Sequence, residues 1–370
     1  MASVEVRGLR KRYGRTTALD DVSFEVADGE FFCLLGPSGA GKTTTLKTLA
    51  GLVEPDAGEV VIDGLPSNDV EPTHRGLAMC FESYALYPQL DVYGNLASPL
   101  RSPLFRLPAS EVDAKVRAVA GTLGIDGLLE RPVTRLSNGQ RQRVALGRVL
   151  VRPARAYLLD EPLAHLDAKI RASMRAELKT ISRDLGTTTV YVTHDYVEAL
   201  SLADRIGVIR DGRILQAGTP EEVWARPVDA FVARAFGKPR MTLVGGGLTD
   251  SADGPAFVSD DGALRLPLPP VDAAPGEAVQ VGVRPRDLRL RLGADEVPEG
   301  WSAVEGRVWV LEHLGRATEV TVAVGAARLA VVAPRAAVAG LTTDDRVSLL
   351  IRPSTVHVFA TGDEGKRVSP

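Results

Sequence analysis

The chain is short of several things, and each shortage excludes a class of protein. Its 370 residues include two cysteines, Cys33 and Cys80. Both lie inside apolar strand-like segments, so no disulfide framework is expected. No uninterrupted apolar run approaches the roughly 18 to 20 residues that a membrane-spanning helix needs. The opening residues, MASVEVRGLRKRYG, lack the apolar stretch of a signal peptide, and a cytosolic protein is expected. There is no basic excess: 44 Lys+Arg face 47 Asp+Glu, a net charge of -3. That balance points away from nucleic acid or an anionic membrane as the main partner. Low-complexity tracts and strict repeats are also missing.

What is present is an ordinary globular composition, 45% hydrophobic and 25% charged, in a chain long enough for two domains with separate cores. Up to about residue 236, strand-like and helix-like patterns alternate. EFFCLL (30–35), GLAMCF (76–81), AYLLD (156–160), TTVYVT (188–193) and RIGVIR (205–210) are short continuous apolar runs. Strands buried on both faces of a parallel sheet read this way, with helices between them. Residues 84–150 depart from the rhythm: a proline-punctuated loop, SPLRSPLFRLP, precedes a helical run with Ser110 as N-cap and Glu111 and Asp113 in its first turn. A mostly helical insertion is predicted there. After FVARAFGKPR the texture changes, and AVQVGV, GRVWVLEHL, TEVTVAV and RVSLLIR predict the strands of a small barrel or sandwich. The reading is an α/β domain over 1–240 and a smaller all-β domain over 241–370.

GPSGAGKT (36–43) directly follows the strand EFFCLL and opens the helical stretch TTTLKTLAGL. Strand, G-x-x-x-x-G-K-T and helix in that order predict a phosphate-binding loop. Gly36, Gly39 and Gly41 let the backbone turn its N–H groups inward, and the helix N-terminus adds its positive end. Lys42 is placed to reach the β and γ phosphates, and Thr43 to bind Mg²⁺. AYLLDE brings Asp160 and Glu161 to the end of a buried strand. Asp160 suits the Mg²⁺ shell, and Glu161 the orientation and polarisation of an attacking water. Helix-capping acids are the alternative for these two. His194 ends TTVYVT at the same sheet edge and is a candidate contact to the γ-phosphate. LSNGQRQRVALGRVL (136–150) offers a second anion site at a capped helix start, or simply a helix with Arg141, Arg143 and Arg148 on a solvated face. GLAMCF raises a question of its own, because Glu82 follows it at once. A carboxylate at an apolar strand tip is costly to bury unpaired.

Taken together, these segments resemble the ATP-hydrolysing subunits of ABC transporters, above all the sugar-importer branch. GPSGAGKTT matches the Walker A loop (Gly36, Pro37, Ser38, Gly39, Ala40, Gly41, Lys42, Thr43, Thr44), and AYLLDE the Walker B. LSNGQ (Ser137, Asn138, Gly139, Gln140) matches the signature loop, HLD (165–167) with Asp167 the D-loop, and VTHD the switch histidine. Tyr13 matches the residue that stacks on adenine, and VGVRPRDL (281–288) a motif of the C-terminal regulatory barrel. The resemblance implies a P-loop nucleotide-binding domain and an OB-like C-terminal barrel. ATP and Mg²⁺ are the implied cofactors, with Thr43, Asp160 and Glu82 at the metal. It also implies a head-to-tail pair of ATPase subunits, so that Ser137 and Gly139 contact a nucleotide held by the partner. The implied station is the cytoplasmic face of the membrane, on permease subunits that meet the YALYP segment (84–88), with a solute-binding protein as an indirect partner. Two positions depart from the pattern: Glu82 stands where glutamine is usual, and Asn138 where glycine is. These departures favour a heterodimer with a related ATPase over a homodimer. A nucleotide-binding regulatory subunit with little turnover is the rival function. A soluble ABC protein of ribosomes or repair is a weaker rival, since the chain has neither a second cassette nor a coiled-coil insertion.

Overall fold

A computed structural model of the chain describes residues 2–103, 105–164, 166–251, 254–293 and 296–369. The chain divides into two compact units, Met1–Pro220 and Glu221–Pro370.

In chain order the first unit contains β1 (Val4–Tyr13), β2 (Thr16–Val26), β3 (Phe31–Leu35), α1 (Lys42–Leu49), β4 (Ala57–Ile62), β5 (Leu65–Pro66) and β6 (Leu77–Cys80). There follow α2 (Val92–Ala97), α3 (Ala109–Thr122), α4 (Asn138–Leu150), β7 (Ala156–Asp160), α5 (Ala168–Leu185), β8 (Thr188–Thr193), α6 (Tyr196–Leu202), β9 (Arg205–Arg210) and β10 (Arg213–Gly218). A six-stranded sheet runs β10-β9-β3-β8-β7-β6, with β10 antiparallel to β9 and the other five strands parallel. Every residue of β3, β7 and β8 is buried, as continuous apolar runs predict for strands covered on both faces. The parallel order brings the C-terminal ends of β3, β8, β7 and β6 to one edge, where α/β sheets bind their ligands.

A second sheet, β2-β1-β4-β5, is antiparallel throughout. Reading for continuous apolar runs passed over it, because its strands are half-buried: β1 alternates Val4 and Val6 inward with Arg7 outward. Val4, Val6, Val22 and Phe24 of this sheet share one core with Phe32, Leu34, Leu46, Leu49 and Val190. Two boundaries also shift. Strand β6 stops at Cys80, so Phe81 and Glu82 lie beyond it. Helix α3 begins at Ala109 behind Pro108, with no side-chain cap. Ser110 therefore sits inside the first turn, because proline sets the helix entry by its fixed φ.

Among the described residues, the second unit holds α7 (Pro220–Ala225, which starts at the boundary), α8 (Ala230–Ala235) and ten strands: β11 (Thr242–Ser251), β12 (Gly254–Ser259), β13 (Arg265–Pro267), β14 (Ala278–Val283), β15 (Arg289–Arg291), β16 (Ser302–Leu314), β17 (Ala317–Val324), β18 (Ala327–Pro334), β19 (Arg346–Ile351) and β20 (His357–Ala360). It is all-β apart from its two leading helices and short turns, in two five-stranded antiparallel sheets, β13-β12-β11-β14-β20 and β15-β19-β16-β17-β18. Phe257, Val279, Val281 and Val358 of the first sheet pack with Val308, Val320, Val331 and Leu349 of the second. The composition break near residue 240 thus falls inside this unit. Arg284, from VGVRPRDL, explains why the helices belong with the strands. It is 2% exposed, donates to the carbonyls of Trp224, Ala233 and Phe236, and lies 3.9 Å from the Trp224 ring centroid.

Candidate functional site

The phosphate loop is shaped by close backbone packing. The Gly36 N–H donates to the Thr193 carbonyl at 3.3 Å, tying the loop to the end of β8. A Cβ on Gly36 would fall 2.3 Å from the Ile209 carbonyl oxygen, and one on Gly41 2.6 Å from that of Ala18. Gly41 also caps α1 at φ 105, without a side-chain hydrogen bond and with no acidic residue in the first turn. The helix therefore starts with N–H groups that no side chain satisfies, which suits an anion. Pro37, Ser38 and Gly39 are exposed, while Ala40 is buried and Thr44 half-buried.

Lys42 is 5% exposed. Its amino group donates to the carbonyls of Gly36 (2.9 Å) and Pro37 (3.0 Å) and lies 3.5 Å from Glu161 Oε1. Thr43 Oγ1 donates to Asp160 Oδ1 at 3.1 Å. Asp160 closes β7 at 3% exposure. Burial pushes its carboxyl above the usual range, the Thr43 hydroxyl pulls the other way, and Glu82 and Glu161 add further upward pressure. Glu161 takes a positive φ of 44°, and its N–H donates to the Val192 carbonyl at 3.1 Å. Its other carboxylate oxygen is 2.7 Å from His194 Nδ1. Lys42, Glu161 and His194 thus form one line across the tips of β3, β7 and β8.

Glu82 answers its question plainly: it is exposed, on the turn after β6, and its charge still reaches Asp160. Tyr13, the last residue of β1, is 50% exposed. At the signature segment the Ser137 hydroxyl accepts from the Gln140 N–H (3.3 Å) and Gln140 Oε1 from the Ser137 N–H (3.0 Å), a reciprocal cap on α4. Ser137 and Asn138 are exposed, and a Cβ at Gly139 would meet Leu166 Cδ2 at 3.2 Å. These hydrogen bonds stay within the turn and do not reach the phosphate loop of the same chain. The arginines of α4 are not simply a solvated face: Arg143 donates to the Leu123 and Gly124 carbonyls, and Arg148 to those of Ala85 and Tyr84. Asp167 caps α5 by accepting from Lys169 N (3.1 Å) and Ile170 N (3.0 Å). His165, first of the HLD segment, lies outside the described residues.

Sequence reasoning missed Glu198. It is 3% exposed and accepts from the Tyr191 hydroxyl (2.8 Å) and Thr193 Oγ1 (2.7 Å), bracing the strand end that carries His194. Its place four residues after His194, on the helix that Asp195 caps, was the available signal. Among the described residues no three His, Cys, Asp or Glu side chains form a metal cage by themselves. The donor set nonetheless fits Mg²⁺. Thr43 and Asp160 supply a hydroxyl and a carboxylate already in contact, and the like charges around Asp160 call for a cation whose other ligands are phosphate oxygens and water.

Comparisons with known proteins place the chain in a family. The ABC transporter family matches residues 19–164, and the TOBE domain family residues 300–358. The trehalose/maltose import ATP-binding protein MalK of Thermococcus litoralis is 46% identical over 338 residues, covering 88% of this chain and 89% of that protein. The chain belongs to the ABC transporter family. It is an ATP-binding subunit of the sugar-importer branch and an ATPase. The sn-glycerol-3-phosphate import ATP-binding protein UgpC 1 of Rhizobium johnstonii is 39% identical over 99% of this ABC ATPase and 96% of its own length. Among solved structures, the dimeric ABC transporter cassette MJ0796 superposes with a TM-score of 0.55 at 28% identity, over 59% of this chain and 98% of that one.

Proposed function

We propose that this ABC ATPase powers uptake of a carbohydrate, polyol or glycerol-phosphate-like solute, working on the cytoplasmic face of the membrane with separate permease subunits and, indirectly, a solute-binding protein. The observation that carries the proposal is the convergence of Lys42, Thr43, Asp160, Glu161 and His194 on one sheet edge. The relatives named for trehalose/maltose and glycerol-phosphate import supply the solute class.

In this reading the amides of residues 36–44 and the Lys42 ammonium hold the phosphates, and Tyr13 stacks on adenine. Thr43, Asp160 and Glu82 would hold Mg²⁺, which neutralises developing phosphate charge. Glu161, oriented by His194 at 2.7 Å, accepts a proton from the water that attacks the γ-phosphorus. The bond to the β–γ bridging oxygen breaks and ADP leaves. His194 steadies the γ-phosphate. Ser137, Asn138, Gly139, Gln140 and Asp167 act across a subunit interface, completing the nucleotide site of the partner. The partner we favour is a related ATPase that keeps the usual glutamine and glycine. Glu82 and Asn138 depart from the pattern while the hydrolytic residues stay, so the two shared sites divide the labour.

Uptake is tested by reconstituting the chain with its permeases and binding protein and following ATP-dependent accumulation of labelled maltose, glucosides and glycerol 3-phosphate. No ATP-dependent uptake of any of them would sink the solute assignment. Native mass spectrometry of the assembled importer tests the partner, and two copies of this chain with no second ATPase would end the heterodimer.

A further inference from the structure

Two residues of the loop after β6 adopt a backbone conformation that side chains resist. Tyr84 has φ 63 and Ala85 φ 47. Neither is glycine, and such residues persist only where their surroundings hold them. The loop's own hydrogen bonds are short-range: Tyr84 N–H to the Phe81 carbonyl (3.1 Å) and Ala85 N–H to the Ser83 carbonyl (2.7 Å). Support from outside comes at two points: Asn95 of α2 pins the far end, accepting from the Tyr87 N–H (2.8 Å) and donating to the Tyr87 carbonyl (3.1 Å), and Arg148 of α4 meets the two positive-φ residues themselves. Arg148 Nη1 donates to the Ala85 carbonyl at 2.6 Å, and Nη2 to the Tyr84 carbonyl at 3.3 Å. The guanidinium also lies 5.2 Å from the Tyr87 ring centroid and within electrostatic reach of Cys80 at the end of β6. A planar fork that meets two adjacent carbonyls and an aromatic ring fixes position in a way that lysine cannot reproduce.

Arg148 sits in the last turn of α4, the single 13-residue helix whose first turn is the signature segment. Arg141, two turns earlier on the same face, is close enough to act on the Tyr84 hydroxyl, as is Glu82 from within the loop. At about 1.5 Å of rise per residue, Asn138 and Arg148 lie roughly 15 Å apart along one rigid rod.

We infer that Arg148 is a positioning residue that locks Tyr84 and Ala85 to the signature-bearing helix, so that a displacement at Ser137–Gln140 is passed to this part of the loop. The inference rests on the shared-site reading given under Proposed function and deepens it. The loop presents Tyr87 at 46% exposure, and what the loop touches moves when α4 moves. The chemistry at Glu161 is untouched by Arg148, so its removal alters transmission and leaves nucleotide binding in place.

The test uses the assembled importer, permeases and both ATPase subunits included, with this chain in a Glu161→Gln background and amide hydrogen exchange followed with and without ATP. With Arg148 present, ATP should slow exchange at Ser137–Gln140 and at Tyr84–Ala85 together. With Arg148→Ala, the signature amides should respond as before, whereas Tyr84 and Ala85 should stop responding and exchange about tenfold faster in the absence of ATP. Arg148→Lys, which keeps the charge without the fork, should restore part of the loop's response. It also decides the matter by the same comparison if the alanine variant does not fold. A loop that still responds to ATP in both variants overturns the inference. If ATP leaves Ser137–Gln140 unprotected even with Arg148 in place, the shared-site reading fails, and the inference falls with it.

Discussion

The tips of β7 and β8 and the tip of β6 lie side by side in one sheet, yet they hold their residues in opposite ways. At β7 and β8 the Glu161 N–H bonds to Val192 and its carboxylate lies between Lys42 and His194, with one long contact from Gln142 of α4 to its carbonyl at 3.5 Å. At β6 the chain leaves the sheet with Glu82 exposed, and the strained turn that follows is held by Arg148 from a helix 63 residues further along the chain. The residues proposed to meet the nucleotide are fixed mainly by the sheet itself. A loop that has to move with another element is fixed to that element instead.

The largest effect should appear where the sheet does the fixing. Glu161→Gln preserves shape and removes the proposed base, so phosphate release by the assembled protein should fall about a hundredfold or more. ATP should still bind, because the Lys42 contacts to Gly36 and Pro37 do not depend on the missing charge. The checks are a phosphate-release assay and nucleotide retention. Turnover at the unmodified rate would remove Glu161 from the mechanism.

Backbone substitutions should split the two regions by sign. Gly41→Ala forces a Cβ to within 2.6 Å of the Ala18 carbonyl at φ 105 and should cost about 1–3 kcal/mol or more in denaturant unfolding. Ala85→Gly does the reverse, relieving φ 47, and should leave stability unchanged or raise it by about 1 kcal/mol. Destabilisation of comparable size in both variants would show that the loop is not strained.

That Lys42, Thr43, Asp160, Glu161 and His194 share one sheet edge was mostly legible in the sequence, because its signals are local. A glycine-rich loop between a strand and a helix, and acids or histidine directly after apolar runs, name their own place in a parallel sheet. What escaped depends on distance or on partial burial. The half-buried alternation of β1 and β2 never forms a continuous apolar run. The inward turn of Arg143 and Arg148 is set by carbonyls that the sequence places far away. Glu198 reads as an ordinary helical acid until Tyr191 and Thr193 are seen to close on it. Arg284 draws two helices into the β-rich unit, against a composition that changes only near residue 240.

A smaller, electrostatic effect tests whether the exposed carboxylate of the β6 tip still speaks to the sheet. Glu82 is one of two carboxylates that push Asp160 further up after burial has done so. In Glu82→Gln that push disappears, Asp160 ionises more readily, and its pKa falls. The acid limb of Mg²⁺-supported nucleotide binding should therefore move to lower pH. At neutral pH the change should act the other way, because an amide is a weaker ligand than a carboxylate, and the Mg²⁺ requirement should rise a few-fold. Nucleotide titrations against Mg²⁺ at several pH values separate the two. An acid limb that stays in place would mean that Glu82 acts only as a ligand or not at all.

The smallest effect is expected where the chain is cut rather than altered. The phosphate loop, Asp160, Glu161 and His194 all lie within Met1–Pro220, so a chain ending at residue 220 and one ending at 240 should bind ATP within about twofold of the full protein. The extra residues of the longer fragment should add nothing to its stability. Helices α7 and α8 would have lost Arg284, whose guanidinium meets a carbonyl of each, that of Phe236 just after α8, and the Trp224 ring, and would expose Val223, Ala230 and Val232, which are fully buried in the intact chain. Thermal unfolding of the two fragments should therefore coincide, with proteolysis trimming the longer one back toward residue 220. Loss of ATP binding in both fragments would show that the nucleotide-binding unit does not stand without the β-rich one. Higher stability in the longer fragment alone would place the working boundary near residue 240, where the composition changes.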